Sequence, residues 1–428
     1  MGRAGWGGAY PDGVNSSSGP DRWRPSRSRG RTVLAVALTL CSLGGTLGCG
    51  DDSTAPTGPT ASGTAVTSEQ LESTLTELRN QQGAPWGQVV PGLAATVTTS
   101  EDDQVAESAA VSGVADPPGS TPLTDRDRFH VGSITKTFTA ALIMQLDQDG
   151  VLSLDDTISN WIDFPNGDEI TVEMLLGHTS GIPEYYTLDG FDVEAPPEES
   201  VALAGTAPLL FVPGSAFEYA NSNYLLLGLI AEEITGSTWE QEVRTRFLEP
   251  LALTDTYVWT GEPEGTTVTG ARAECDEIGE PSCEPTRPLP QVPVTDSAFW
   301  TTSWAAGAMV STSRDLARWM RALVEGDVVD RDHVDLMITP TPESIEFFAE
   351  SAPNGPLKVT GTGLGLITYE IDGVGTAHGH NGQVPGFIAN AAHLLDASLT
   401  VAFTSNFEQT DGLATLGELT VSAASGES

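Results

Sequence analysis

Strand-like stretches fall at the two ends of this chain, and helical ones fall between them. Near the start of the body, Leu93-Ala94-Ala95-Thr96-Val97 and Ala109-Ala110-Val111 flank a charged turn at Glu101-Asp102-Asp103, the pattern of a hairpin. Near the end, Leu364 to Glu370, Ile388 to Leu395 and Leu399 to Asn406 read as strands. Between them, Ile134 to Leu146 places Ile134, Phe138, Ala141, Leu142 and Leu146 on one side of a helix that Asp149-Gly150 stops. Ile170 to Leu176 ends at Gly177, Asn223 to Thr235 ends at Gly236, and Trp239 to Phe247 and Arg314 to Val324 continue the helical pattern. A last helix is expected from Gly412 to Ala423. This order predicts an α+β fold: one layer built from both chain ends, with a mainly helical region inserted in it, at about 175–300. Residues 260–297 hold six Pro and two Cys in a polar stretch, which reads as a long insertion or lid rather than core.

The charge balance removes whole classes of function. There are 19 Lys+Arg against 59 Asp+Glu in 428 residues, a net charge of −40. A nucleic-acid binder needs a basic face to release counterions from phosphate, and docking on anionic lipid needs a basic patch. Hydrophobic residues make up 39% of the chain, enough for a large core rather than a disordered acidic tail. Lysine occurs only at Lys136 and Lys358, so any chemistry that needs a lysine has two places to sit.

Residues 1–49 read as an export signal. Six arginines within residues 1–31 precede an uncharged, mostly apolar run from Thr32 to Gly48, too short and Gly-rich to span a bilayer comfortably. The run ends Thr46-Leu47-Gly48-Cys49, similar to a bacterial lipoprotein processing site with Cys49 as the lipidated residue. An ordinary signal peptide and a retained anchor are the other readings. Removing this segment, with its six Arg and two Asp, takes the net charge to −44. Residues 50–68 read as a flexible tether. The expected address is the cell envelope, lipid-anchored or otherwise periplasmic or extracellular, with membrane contact only through that anchor. In such a compartment Cys275 and Cys283, eight residues apart in the polar stretch, are expected to form a disulfide. With no histidine nearby they make a poor metal site, and no metal is expected.

Three constellations can carry chemistry. Ser133-Ile134-Thr135-Lys136 puts a hydroxyl and an amine three residues apart, on one face where a helix begins, pairing a nucleophile with an adjacent base. The bland alternative is an N-cap serine with a solvated lysine. Tyr219-Ala220-Asn221 precedes the apolar helix; the phenol can serve as acid or base and the amide can bind a substrate amide, or they are a core tyrosine and a helix cap. Gly379-His380-Asn381-Gly382-Gln383-Val384-Pro385-Gly386-Phe387 leads into a strand. Its glycines would let a substrate lie against the backbone and His380 could orient or protonate it, or this is a Gly-rich hairpin with exposed histidines. There is no Gly-x-Ser-x-Gly elbow, and Gly361-x-Gly363-x-Gly365 lacks the strand–loop–helix of a nucleotide loop.

Taken together, the three resemble the active site of the serine β-lactamase and penicillin-binding-protein superfamily, closest to its class C-like branch with the D-alanyl-D-alanine carboxypeptidases. Ser-x-x-Lys, Tyr-x-Asn and His-x-Gly occur in the family's order, 86 and 161 residues apart. The similarity extends over about residues 69–425, through Leu175-Leu176-Gly177-His178-Thr179-Ser180-Gly181, Pro213-Gly214 and Ala306-Gly307. It implies an antiparallel sheet flanked by helices and a Ser133 that forms an acyl-enzyme. Lys136 and Tyr219 share the proton work, the acylation base being left open between them. Asn221, His380, Gly382 and Gln383 bind substrate, the backbone N–H groups of Ser133 and Gln383 forming the oxyanion hole. His178 is read as structural, and His378 as a neighbour. No cofactor is implied. The expected substrate is a small molecule or peptide: foremost a D-alanyl-D-alanine peptide of peptidoglycan type, since His380 stands where many β-lactamases carry Lys. A type VIII-like esterase, a β-lactamase and a non-turnover penicillin-binding surface lipoprotein are the alternatives.

Overall fold

The computed structural model describes residues 66–84, 89–101, 104–261, 267–273, 291–294 and 297–425. The expected export signal, Cys49, nearly all of the tether, and the Cys275–Cys283 pair lie outside the described residues. Among the described residues no helix is long and apolar enough to cross a membrane, and no group of three or more His, Cys, Asp or Glu is arranged to hold a metal ion.

A seven-stranded antiparallel sheet organises the molecule. Its strands are β1 (Gly92–Glu101), β2 (Gln104–Gly113), β3 (Leu357–Thr362), β4 (Ile367–Ile371), β5 (Gly375–Val384), β6 (Phe387–Leu394) and β7 (Leu399–Ser405). The order across the sheet is β2-β1-β7-β6-β5-β4-β3. The N-terminal hairpin thus joins the C-terminal strands at one seam, where Leu93 pairs with Ser405 and Thr99 with Leu399.

Side-chain alternation assigns the two faces. Leu93, Ala95 and Val97 of β1, Ile388, Ala392 and Leu394 of β6, and Val401 and Phe403 of β7 pack on one side with helices α1 (Ser68–Gly83) and α5 (Gly412–Ser425). Helix α1 starts at a capping box between Thr67 and Gln70 and buries Leu71, Leu75 and Leu78, each contributing about 1.5–3 kcal/mol. The other face carries small residues, Ala389, Ala391 and Ala402, that let the helical region approach. That region holds α2 (Thr135–Gln148), α3 (Asn221–Thr235) and α4 (Ser313–Glu325). Left-handed glycines close α3 and α4, Gly236 at φ +68° and Gly326 at φ +92°.

The expected segments and the observed ones differ in several places, and strand β5 and the helices Pro197–Ala204, Arg331–Ile338 and Pro342–Phe348 have no counterpart among the expected ones. Helix α1 and strand β3 carry no counterpart in the sequence reading. The helix expected from Trp239 to Phe247 is α-helical over Trp239–Val243 and passes into a π-helical turn over Arg244–Leu248. The 260–297 stretch is not wholly outside the core. Gly270–Ala273 and Gln291–Val294 pair as a two-stranded ribbon, and Ala271 is fully buried, donating its N–H to the Asn406 carbonyl. The base of the expected lid is therefore packed structure.

Candidate active site

Ser133 lies in a single 3-10 turn, Gly132–Ile134, that runs straight into α2. The turn abuts β5 backbone to backbone. Gly132 has φ +53°, and a Cβ there would stand 2.8 Å from the Gln383 nitrogen. A Cβ on Gly382 would fall 1.9 Å from the Val131 carbonyl oxygen and 2.9 Å from the Ser133 nitrogen. Only glycine fits either position, and the contact sets the Gln383 nitrogen against Gly132 and the Ser133 nitrogen against Gly382.

Lys136 follows one turn later and is fully buried. Its Nζ lies 3.0 Å from Ser133 Oγ, 2.5 Å from Asn221 Oδ1 and 2.7 Å from the Ala306 carbonyl oxygen. Asn221 is the first residue of α3, and Ala306 belongs to the short helix Trp304–Gly307. The amine also stands 5.0 Å from the Tyr219 ring centroid and 5.5 Å from that of Tyr224. Burial lowers the Lys136 pKa and a neighbouring carboxylate, Glu184, pulls it back up.

Tyr219 leans on the same centre, with the Ser133 hydroxyl in hydrogen-bonding reach of its phenol. Burial pushes the phenol well above its ordinary pKa and outweighs that hydrogen bond, so the ring carries its proton at neutral pH. His380 on β5 is 3% exposed, its ring centroid 6.4 Å from that of Tyr219. Burial, then the Lys136 charge, lowers its pKa to about 3. Its Nδ1 donates to the Asn381 carbonyl oxygen at 2.6 Å, which leaves Nε2 with a lone pair. A neutral imidazole in this tautomer can accept from a substrate but not protonate one. Of the two roles open to His380 in the sequence, the structure supports orienting, and it contradicts the picture of exposed histidines.

Sequence reasoning missed Glu184. It follows the His178-Thr179-Ser180-Gly181 turn, and its Oε2 accepts both the backbone N–H and the side-chain amide of Asn221, at 2.7 and 2.9 Å. Burial raises its pKa, while the Asn221 donors and Lys136 lower it. The one signal in the chain is a lone acid among Ile182, Pro183, Tyr185 and Tyr186. The site thus gathers Ser133, Lys136, Tyr219, Asn221, His380, Gly382 and Gln383, and adds Glu184.

Aromatic rings line one flank. Tyr186 meets Phe299, and Trp300 stacks on His130 at 4.0 Å, with Trp259 and Phe387 closing round the imidazole. His130 is 2% exposed, and neither ring nitrogen has a hydrogen-bond partner among the described residues.

A family model described as Beta-lactamase matches residues 70–424. The chain belongs to the beta-lactamase family. Penicillin-binding protein 4 of Amycolatopsis lactamdurans is 29% identical to this beta-lactamase-family chain over 334 residues, 73% of the chain and 83% of that protein. The putative penicillin-binding protein PbpX of Bacillus subtilis is 29% identical over 221 residues, 51% of the chain and 51% of that protein's length. Among solved structures, a D-stereospecific amidohydrolase from Streptomyces sp. superposes with a TM-score of 0.66 at 26% identity, covering 83% of this chain and 99% of that one. These likenesses and the α+β fold support a serine hydrolase of the beta-lactamase family.

Proposed function

We propose that this chain is an acyl-serine hydrolase of D-amino-acid peptides, a D-alanyl-D-alanine carboxypeptidase or related D-peptidase acting on peptidoglycan-type peptides. Lys136 carries this reading. Two of its three partners, the Asn221 and Ala306 oxygens, can only accept hydrogen bonds. A neutral amine has two N–H groups, and both are taken by those oxygens. Its lone pair is then left for the third partner, the Ser133 hydroxyl at 3.0 Å. Lys136 is therefore assigned as the acylation base, and Tyr219, a protonated phenol, as the donor to the leaving group.

In the first step Ser133 Oγ bonds to the substrate carbonyl carbon and its proton passes to Lys136 Nζ. The backbone N–H groups of Ser133 and Gln383 hold the resulting oxyanion, each worth about 3–4 kcal/mol. The C–N bond breaks, the amine leaves with a proton from Tyr219, which Lys136 replenishes, and water then releases the acyl group from Ser133. Support for a D-amino-acid substrate comes from the names of the relatives, two penicillin-binding proteins and a D-stereospecific amidohydrolase. The expected export signal, with Cys49 as lipid anchor, would place the enzyme beside peptidoglycan.

Fluorescent penicillin tests the nucleophile: wild type is expected to label and Ser133→Ala is not. Equal labelling of the two, or none of wild type, refutes the acyl-serine reading. A D-Ala-D-Ala peptide, a p-nitrophenyl ester and a chromogenic cephalosporin then rank the substrates. Turnover of the ester alone, or of the cephalosporin alone, overturns the peptidase assignment.

A further inference from the structure

The Asn221 side chain bridges the Lys136 amine and the Glu184 carboxyl. Its carbonyl oxygen accepts from Lys136 at 2.5 Å, and its amide nitrogen donates to Glu184 at 2.9 Å. Either partner alone would fix which end of the amide faces which way; together they leave no alternative. Glu184 also accepts the Asn221 backbone N–H at 2.7 Å, an N–H that the first turn of α3 leaves without a helical partner. One carboxylate therefore anchors both the start of the helix and the amide that touches the base.

We propose that Glu184 is the positioning residue of this site: it holds Asn221 against Lys136, and its negative charge governs when the Lys136 amine is free to take the Ser133 proton. The proposal rests on the assignment of Lys136 as base and adds what sets that base. The other titratable groups around the pair are uncharged at neutral pH. Tyr185 and Tyr186 from the following turn, and Tyr219 and Tyr224 from the loop before α3 and from α3 itself, are phenols raised by burial. His178 from the turn before Glu184 and His380 from β5 are imidazoles kept neutral by burial. Glu184, which burial raises to about 7, is thus the acid that faces Lys136 in this surrounding and its counter-charge once ionised. An anion so placed favours the ammonium, so removing it should free the amine at lower pH.

The test uses the scarcity of lysine. The full chain grown with 13C-lysine gives two side-chain signals, Lys136 and Lys358, and the second, on β3, is the internal reference. In Glu184→Gln, which keeps an acceptor for the Asn221 donors and loses the charge, Lys136 is expected to titrate at least about one pH unit below wild type. The acid limb of the acylation rate should move the same way. In Glu184→Asp, which keeps the charge, it should stay near wild type while acylation slows through the shorter reach. A Lys136 titration unchanged in Glu184→Gln, or equally shifted in Glu184→Asp, overturns the proposal. Absence of labelling in wild type alongside a shifted Lys136 titration in Glu184→Gln would refute only the acyl-serine reading.

Discussion

The imidazole of His178 lies against the phenol ring of Tyr219, centroids 4.3 Å apart and planes 28° apart. Its Nδ1 also accepts the backbone N–H of Ala220 at 3.2 Å, which fixes the Nε2–H tautomer. The chain holds His178 at φ +57° to make both contacts. Ring and hydrogen bond together pin the Tyr219 phenol near Ser133 from behind. His178 reaches no hydrogen bond to Ser133 or Lys136, in keeping with a structural role.

His178→Phe keeps a ring on Tyr219 and strands the Ala220 N–H. Loss of that acceptor is expected to cost about 1–3 kcal/mol in denaturant melts. Acylation should slow by about tenfold as the phenol loses its fixed place. Stopped-flow labelling with fluorescent penicillin gives the rate, and a wild-type rate would mean that the His178–Ala220 hydrogen bond does not position Tyr219.

Gly382→Ala should abolish the oxyanion contact rather than weaken it. The added methyl would meet the Val131 carbonyl oxygen at 1.9 Å, so β5 must withdraw from the nucleophile turn. The expected loss is about 100-fold or more in kcat/KM. Steady-state kinetics with a D-Ala-D-Ala peptide checks this, and a melting curve separates local from global damage.

His380→Asn should lower kcat/KM without moving the acid limb of its pH profile. His380 stays neutral down to about pH 3, so it is not the group that titrates as activity rises with pH. A limb that shifts in this variant by more than about half a unit would show that the imidazole takes part in that ionisation.

His130 makes a stability prediction. Burial lowers its pKa from 6.5 to about 3. Between those values the unfolded chain binds a proton that the folded one refuses, so His130 favours the fold fully above pH 6.5 and progressively less as pH falls to about 3. His130→Phe removes two unpartnered nitrogens and this proton linkage. The variant is expected to be at least as stable as wild type at pH 7, and to lose less on going to pH 4. Melting temperatures of both proteins at the two pH values decide it; equal losses would refute the linkage.

The candidate site residues are legible because each sits in a short motif whose order along the chain is itself diagnostic. Ser133 and Lys136 meet through helical spacing alone, and Gly382 is a glycine where no side chain fits. Glu184 was not legible, since its partner lies 37 residues away on α3 and only tertiary structure makes the bond. The same holds for β3, whose Lys358, Thr360 and Gly361 dilute the strand pattern and whose pairing depends on β4. Helix α1 is a different case: its Thr67–Gln70 box and Leu71, Leu75, Leu78 spacing are local, and nothing beyond the sequence is needed to find them. The burial of Ala271 depends on β7 and the residues just after it, which no reading of a Pro-rich loop contains.

The seam between β1 and β7 has a temporal meaning. A chain made or threaded N-terminus first presents Ser133 and Lys136 early, yet β5, which supplies Gln383, follows some 240 residues later, and β7, which closes onto β1, later still. Contacts so distant in sequence form slowly. A chain that still lacks β5 is therefore expected to carry Ser133 and Lys136 without Gln383 beside them.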